Sequence, residues 1–134
     1  FMLLIIRFVA YESVKVKRWI RITEPLSFLE MSLFEKYARI IITDSGGVQK
    51  EAFFHRKPCV ILRSETEWVE IVNSGAAALA DADSQKIVEL TLKLLKNPPQ
   101  EFPPFFGKGD SANFICQEII NSFELVIDKS LHQG

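Results

Sequence analysis

One short stretch of the chain combines the residue types that bind anions and polyols. Thr43, Asp44, Ser45, Gly46, Gly47, Val48, Gln49, Lys50 and Glu51 follow an apolar run at 40–42. A helical pattern succeeds them, with Val48, Ala52 and His55 or Arg56 on one face. The order is strand, tight glycine turn, helix start. Two adjacent glycines let the backbone take a positive φ and let a ligand approach the main chain closely. Ser45 and the first amides of the helix would then face an anion. The chemistry this spacing suits is a diphosphate at Ser45, Gly46 and Gly47, with Glu51, about one turn along, accepting hydrogen bonds from sugar hydroxyls. The same residues also make a plain turn with Ser45 as a helix cap. The motif alone leaves both readings open.

A second charged stretch follows: Arg63, Ser64, Glu65, Thr66, Glu67, Trp68, Val69 and Glu70. It leaves the strand expected at 59–62, on the same edge of a parallel sheet as the glycine turn. Ligands of open parallel sheets sit beyond the carboxyl ends of the strands. Arg63 is its strongest candidate, because a guanidinium fits phosphate or carboxylate. The alternative is a solvated helix start whose acidic residues favour the dipole.

The elements that must position these residues are legible as alternating strands and helices. Residues 14–22 mix β-branched and basic side chains and read as a strand with one wet face. Pro25 suits a first helical turn capped by Thr23 or Glu24, and Leu26, Leu29, Leu33 and Tyr37 recur at core-facing spacing. Strands are expected at 39–43, 59–62 and 76–79. A helix is expected from 81–84 onward, with Ile87, Leu90 or Thr91, and Leu94 or Leu95 inward. Strand–helix alternation with short buried strands is the signature of a layered α/β fold. Four prolines between 97 and 109 disfavour helix and sheet, and make a long connection held by Phe102, Phe105 and Phe106. Gly107, Lys108 and Gly109 resemble a phosphate loop only weakly and lack the Walker spacing. A last helix, capped by Asp110 or Ser111, carries the apolar face Ala112, Ile115, Cys116, Ile119, Ile120 and Phe123.

At 134 residues, 48% apolar and with a formal net charge of −1, the chain reads as one globular domain with no electrostatic case for nucleic acid. Cys59 and Cys116 lie in apolar runs and read as buried thiols, and the distant His55 and His132 make a metal site unexpected. The apolar run 1–10, broken by Arg7, is too short to span a bilayer and lacks the features of a signal peptide. It reads as an edge strand or a surface seeking a partner, so a homo-oligomer is expected. No membrane association is expected, and a cytoplasmic location follows as the prior.

Taken together, these blocks resemble the C-terminal half of the non-hydrolysing UDP-N-acetylglucosamine 2-epimerase family. The resemblance runs from about Val16 to Phe123. It rests on Glu24, Pro25 and Leu26 followed by Phe28 and Leu29, on Thr43 to Gln49 with Glu51 and Ala52, and on Lys57, Pro58 and Cys59. Leu62 and Arg63, then Glu65, Thr66 and Glu67, then Phe106, Gly107, Gly109 and Asp110 complete it. It implies a Rossmann-like three-layer α/β domain with a parallel sheet, as in the C-terminal half of a two-domain glycosyltransferase-B type fold. Residues 1–134 would form this single nucleotide-binding-type domain, with 1–13 an atypical start and 128–134 frayed. The sheet order would be near 3-2-1-4-5 or a truncated form of it. The implied ligand is UDP or a UDP-N-acetylhexosamine, held by Ser45, Gly46, Gly47, Glu51 and Arg63, with Glu67 and Trp68 at the cleft edge and no cofactor.

The resemblance also implies a division of labour. The family interconverts UDP-GlcNAc and UDP-ManNAc by eliminating and re-adding UDP, with acid and base carboxylates mainly from an N-terminal domain. On this reading that domain would be a separate partner, no catalytic residue is assigned here, and the chain is expected to be silent alone. The family's histidine is matched by neither His55 nor His132. Where many relatives follow the position of Glu67 with Arg-Pro-Glu, this chain has Trp68, Val69 and Glu70, and Lys50 replaces a common Glu, a position read as facing solvent. Two other readings stay open: a structural or interaction module with a vestigial site, and a UDP-sugar glycosyltransferase subunit.

Overall fold

A computed structural model of the chain describes residues 23–107 and 109–131, with side chains as far as residue 123. The strand expected at 14–22, the apolar run 1–10, Lys108 and His132 lie outside the described residues. The chain divides into two units, Phe1–Phe102 and Pro103–Gly134.

The first unit is an α/β fold. In chain order it contains α1 (Phe28–Tyr37), β1 (Ile41–Thr43), α2 (Gly46–Phe54), β2 (Cys59–Ile61), α3 (Val69–Asn73), β3 (Ala77–Leu79) and α4 (Ser84–Lys96). The strands form a 3-stranded parallel sheet in the order β1-β2-β3, with Ile41 beside Cys59 and Cys59 beside Ala77. That sequential order is one arm of the expected winding; among the described residues the order does not reverse. Residue alternation splits the sheet into two faces. Ile42, Val60 and Ala78, aligned across the strands, pack with Ile40, Ala80 and Leu94, and with Ile87, Leu90 and Leu95 of α4. These are the inward residues the helical spacing predicts. β1 and β2 are buried throughout, which is why their sequences are continuous apolar runs.

α1 departs from expectation twice. Its cap is Ser27, not Thr23 or Glu24: Ser27 Oγ accepts from the Glu30 amide, and the Glu30 carboxylate accepts from the Ser27 amide at 2.9 Å. This is the Ser-x-x-Glu capping box. The Ser27 bonds hold the Glu30 carboxyl below its usual range. Its buried face is also different. Leu29, Leu33 and Tyr37 are 73%, 54% and 73% exposed, whereas Glu35 is fully buried. The helix packs on α2 through its small and polar side, where Ser32 Oγ meets His55 Nε2 at 3.0 Å.

α2 ends in a Schellman motif. The Lys57 amide donates to Ala52 O and the Arg56 amide to Phe53 O, with Arg56 at φ +55°. Beyond α4, Phe102 packs its ring 5.4 Å from that of Phe53.

The second unit holds α5 (Ser111–Leu131), which continues into the stretch expected to fray. Before it, Gly107 and Gly109 take φ of +81° and +87°, a region that favours glycine, and Phe105 and Phe106 meet edge to face. Cys116 is exposed, not buried as its apolar run predicts, because the row of Ile115, Ile119, Ile120 and Phe123 faces solvent with it. Among the described residues no helix is long and apolar enough to cross a membrane.

Candidate functional site

Parallel pairing of β1 and β2 brings their carboxyl ends together, and the two informative stretches leave from there. After β1 the chain turns at once into α2. The Ser45 amide donates to the buried Thr43 Oγ1 at 3.0 Å, and the Ser45 hydroxyl caps the helix by accepting from the Val48 amide. The cap reading and the anion reading therefore hold together: the hydroxyl accepts from within and keeps its own proton to donate outward.

Gly46 and Gly47 are the first two residues of α2, and neither has a positive φ. The expectation of a left-handed turn there is corrected; the helix begins immediately, so both lie in ordinary helical backbone. What Gly46 contributes is room. A Cβ at Gly46 would stand 3.3 Å from Glu67 Oε2, and 3.8 Å from both Arg63 Nη1 and Trp68 Nε1. The missing side chain lets the strand-end loop close over the start of α2. The Gly46 and Gly47 amides belong to the first helical turn and have no intrahelical acceptor. No protein group among the described residues accepts from them.

The loop after β2 is fastened to α2 at successive points. Arg63 and Glu67 form a bidentate pair, with Nη1 to Oε2 at 3.0 Å and Nη2 to Oε1 at 2.8 Å. Each holds the other in its charged form: the pair raises the Arg63 pKa and lowers that of Glu67. The Trp68 indole N–H donates to the Gly46 carbonyl at 2.8 Å, and Lys50 Nζ stands 4.5 Å above the Trp68 ring. Thr66 Oγ1 donates to the fully buried Gln49 Oε1 at 2.6 Å and accepts from the Trp68 amide at 3.1 Å. Lys50 thus does not simply face solvent, as the sequence reading has it.

The structure brings Ser45, Gly46, Gly47, Arg63, Glu67 and Trp68 into one place. Glu51 stands apart, half-buried, one turn along α2, and its neighbour is Glu35 of α1. Sequence reasoning missed Glu35 altogether and gave Gln49 and Lys50 no role of their own in the site. The available signal was a carboxylate three residues after Ser32 and three before Ala38, at helical spacing with two small residues. Cys59 is a core residue, its thiol pushed up to about 12 by burial and by the charge of Glu35. Among the described residues no three His, Cys, Asp or Glu side chains gather as a metal site.

Arranged this way, the edge of the sheet offers free helix-start amides, a guanidinium beside them, and a carboxylate one turn deeper. Known proteins resemble the chain in sequence and in fold. A sequence model of the family described as UDP-N-acetylglucosamine 2-epimerase matches residues 6–120. UDP-2,3-diacetamido-2,3-dideoxy-D-glucuronate 2-epimerase of Pseudomonas aeruginosa is 39% identical over 106 residues, 79% of this chain and 30% of the relative. A UDP-N-acetylglucosamine 2-epimerase homolog of Methanococcus maripaludis is 41% identical over 112 residues, 83% of this chain and 31% of the relative. The crystal structure of the Methanocaldococcus jannaschii UDP-GlcNAc 2-epimerase in complex with UDP-GlcNAc and UDP superposes with a TM-score of 0.67 at 35% identity. It covers 74% of this chain and 27% of its own. The chain therefore spans about 30% of the length of the curated relatives it matches. From the matched family model, the shared α/β fold and these identities together, the chain belongs to the UDP-N-acetylglucosamine 2-epimerase family.

Proposed function

We propose that this chain is the UDP-holding part of a UDP-N-acetylhexosamine 2-epimerase. The observation that carries the reading is the pair of unengaged amides at Gly46 and Gly47, next to the Ser45 cap and flanked by Arg63. A helix start presents partial positive charge and aligned donors, the arrangement a diphosphate needs. Arg63 adds formal charge, and Glu67 fixes where that charge sits. Glu51 lies deeper and accepts hydrogen bonds from the ribose hydroxyls. The relatives' names share UDP and the 2-epimerase reaction but differ in the sugar, as suits a segment whose task is the nucleotide.

No proton-transfer role falls to these residues. General acid–base work needs a group within hydrogen-bond reach of the moving proton, and the acidic residues here are taken up by Arg63, by α1 or by solvent. Alone, the chain binds UDP without interconverting UDP-GlcNAc and UDP-ManNAc. The test is an NMR titration of the 134-residue chain with UDP, and with uridine and N-acetylglucosamine as controls. UDP shifts the amides from Ser45 to Glu51 and the Arg63 side chain, whereas the sugar shifts none of them. If millimolar UDP moves no resonance in this set, the site is vestigial and the structural-module reading replaces this one.

A further inference from the structure

Behind Glu51 stands a second carboxyl group that the nucleotide itself would not touch. Glu35 of α1 is fully buried, and among the described residues neither of its oxygens has a hydrogen-bond donor. At the C-terminal cap of α2, His55 Nε2 approaches Glu35 Oε2 to 3.9 Å, too far for a hydrogen bond. That same ring nitrogen is already met by Ser32 Oγ at 3.0 Å. Because one nitrogen faces both groups, the trio is not a serine–histidine–acid relay, which needs the two ring nitrogens to face different partners. From β2, the buried Cys59 thiol lies within range of the Glu35 charge, and its raised pKa keeps it neutral. Glu51 lies one helical turn before His55, its carbonyl accepting from the His55 amide at 2.9 Å, and so on the side of α2 that faces Glu35; among the described residues it is the other carboxyl group that acts on Glu35.

Two ionised carboxylates side by side are both acceptors and repel. A proton on one of them turns the same contact into a hydrogen bond. We propose that Glu35 is a positioning residue for Glu51: its buried carboxyl keeps a proton, donates it to one Glu51 oxygen, and leaves the other oxygen for the ribose hydroxyls. This rests on the nucleotide-binding reading above. Burial first, and then the charge and hydrogen bond of Glu51, push the Glu35 carboxyl up to about 7. Below neutrality the Glu35 carboxyl is neutral and holds Glu51. Above it, Glu35 ionises, repels Glu51 and drives it off its place, so UDP binding weakens as pH rises.

The experiment uses the full chain, carboxyl-labelled at glutamate, with its Glu35→Gln and Glu51→Gln variants. The glutamine at 35 keeps a donor and has no proton to lose. In the ligand-free parent, one glutamate carboxyl resonance titrates near neutrality; it is absent from Glu35→Gln and moves to lower pH in Glu51→Gln. UDP dissociation constants are then measured at pH 6 and pH 8 for parent and Glu35→Gln. The ratio of the two proteins cancels the titration of UDP itself. Loss of one positioning hydrogen bond predicts that the parent weakens about three- to tenfold more than the variant between these pH values. Absence of the neutral titration overturns the shared proton. Its presence with an unchanged ratio overturns the positioning role. UDP failing to bind either protein at either pH, with the titration intact, overturns the nucleotide reading and the role in it.

Discussion

Replacing Gly46 with alanine separates folding from ligand binding at the point where the two stretches meet. Gly46 is the first residue of α2 and has no positive φ, so alanine adds no backbone strain. Removing glycine's extra freedom in a helix stabilises by about 0.5–1 kcal/mol, and by less at a first turn. Against this, the new methyl would stand 3.3 Å from Glu67 Oε2, tighter than an ordinary contact by a few tenths of an ångström. That oxygen ends a flexible side chain that is 59% exposed, so it yields. An exposed ion pair contributes at most about 1 kcal/mol, and a partial loss costs less. The net effect on folding is between about zero and +0.5 kcal/mol. UDP binding moves the other way. Glu67 displaced from its bidentate contact no longer holds Arg63, and the dissociation constant rises about three- to tenfold, as for one charge-assisted hydrogen bond. Urea unfolding, with the slope unchanged, reads the first quantity, and a UDP titration the second. Destabilisation by more than about 1.5 kcal/mol would show that Glu67 does not give way; unchanged UDP affinity would show that Gly46 and Arg63 are not coupled.

Further outcomes follow from other residues. Glu51→Ala removes the ribose acceptor and weakens UDP by about 1–3 kcal/mol, and 2′-deoxyuridine diphosphate, weaker than UDP on the parent, should lose most of that gap on the variant when both are titrated by calorimetry. The Glu35 carboxyl, raised from 4.5 to about 7, binds a proton in the folded chain that the unfolded chain has released. The parent is therefore fully stabilised below about pH 4.5 and loses stability as pH rises through about 7, by at most about 3 kcal/mol relative to Glu35→Gln. Chemical unfolding of both proteins across that range checks the sign, and parallel profiles would refute it. Arg56→Gly relieves a left-handed residue in the α2 Schellman turn and raises stability by about 0.5–1 kcal/mol in thermal or urea unfolding; a loss would mean that the Arg56 side chain contributes more than the strain.

β1 and β2 were legible because they are buried on both faces. Short apolar runs such as Ile41 to Thr43 and Cys59 to Ile61 have little choice once turn residues flank them. α4 was legible for a related reason: it lies against one sheet face, so Ile87, Leu90 and Leu94 carry its periodicity. α1 was not. Its apolar stripe of Leu29, Leu33 and Tyr37 is genuine but exposed, while the helix packs through Ser32 and Glu35. Periodicity reveals that a helix has an apolar side; it does not say which side meets the neighbouring element. The site divided along similar lines. Ser45, Gly46, Gly47, Arg63, Glu67 and Trp68 could be gathered from strand-end logic, since parallel strands deliver their following loops to one edge. Lys50 over Trp68, Gln49 with Thr66, and Glu35 with Glu51 are side-chain meetings across elements, fixed by helix rotation and depth. The single sequence carries no spacing rule for those.

The tie between Trp68 and the Gly46 carbonyl, with Thr66 on Gln49 beside it, has a thermodynamic consequence. These bonds join the start of α2 and the strand-end loop into one corner before any ligand arrives. A ligand entering it has little main-chain freedom to quench, so less of its contact energy is consumed in ordering the protein. Recognition at this corner should then resemble a preformed socket: small changes in backbone dynamics on binding, and fast exchange governed by how readily the ligand leaves.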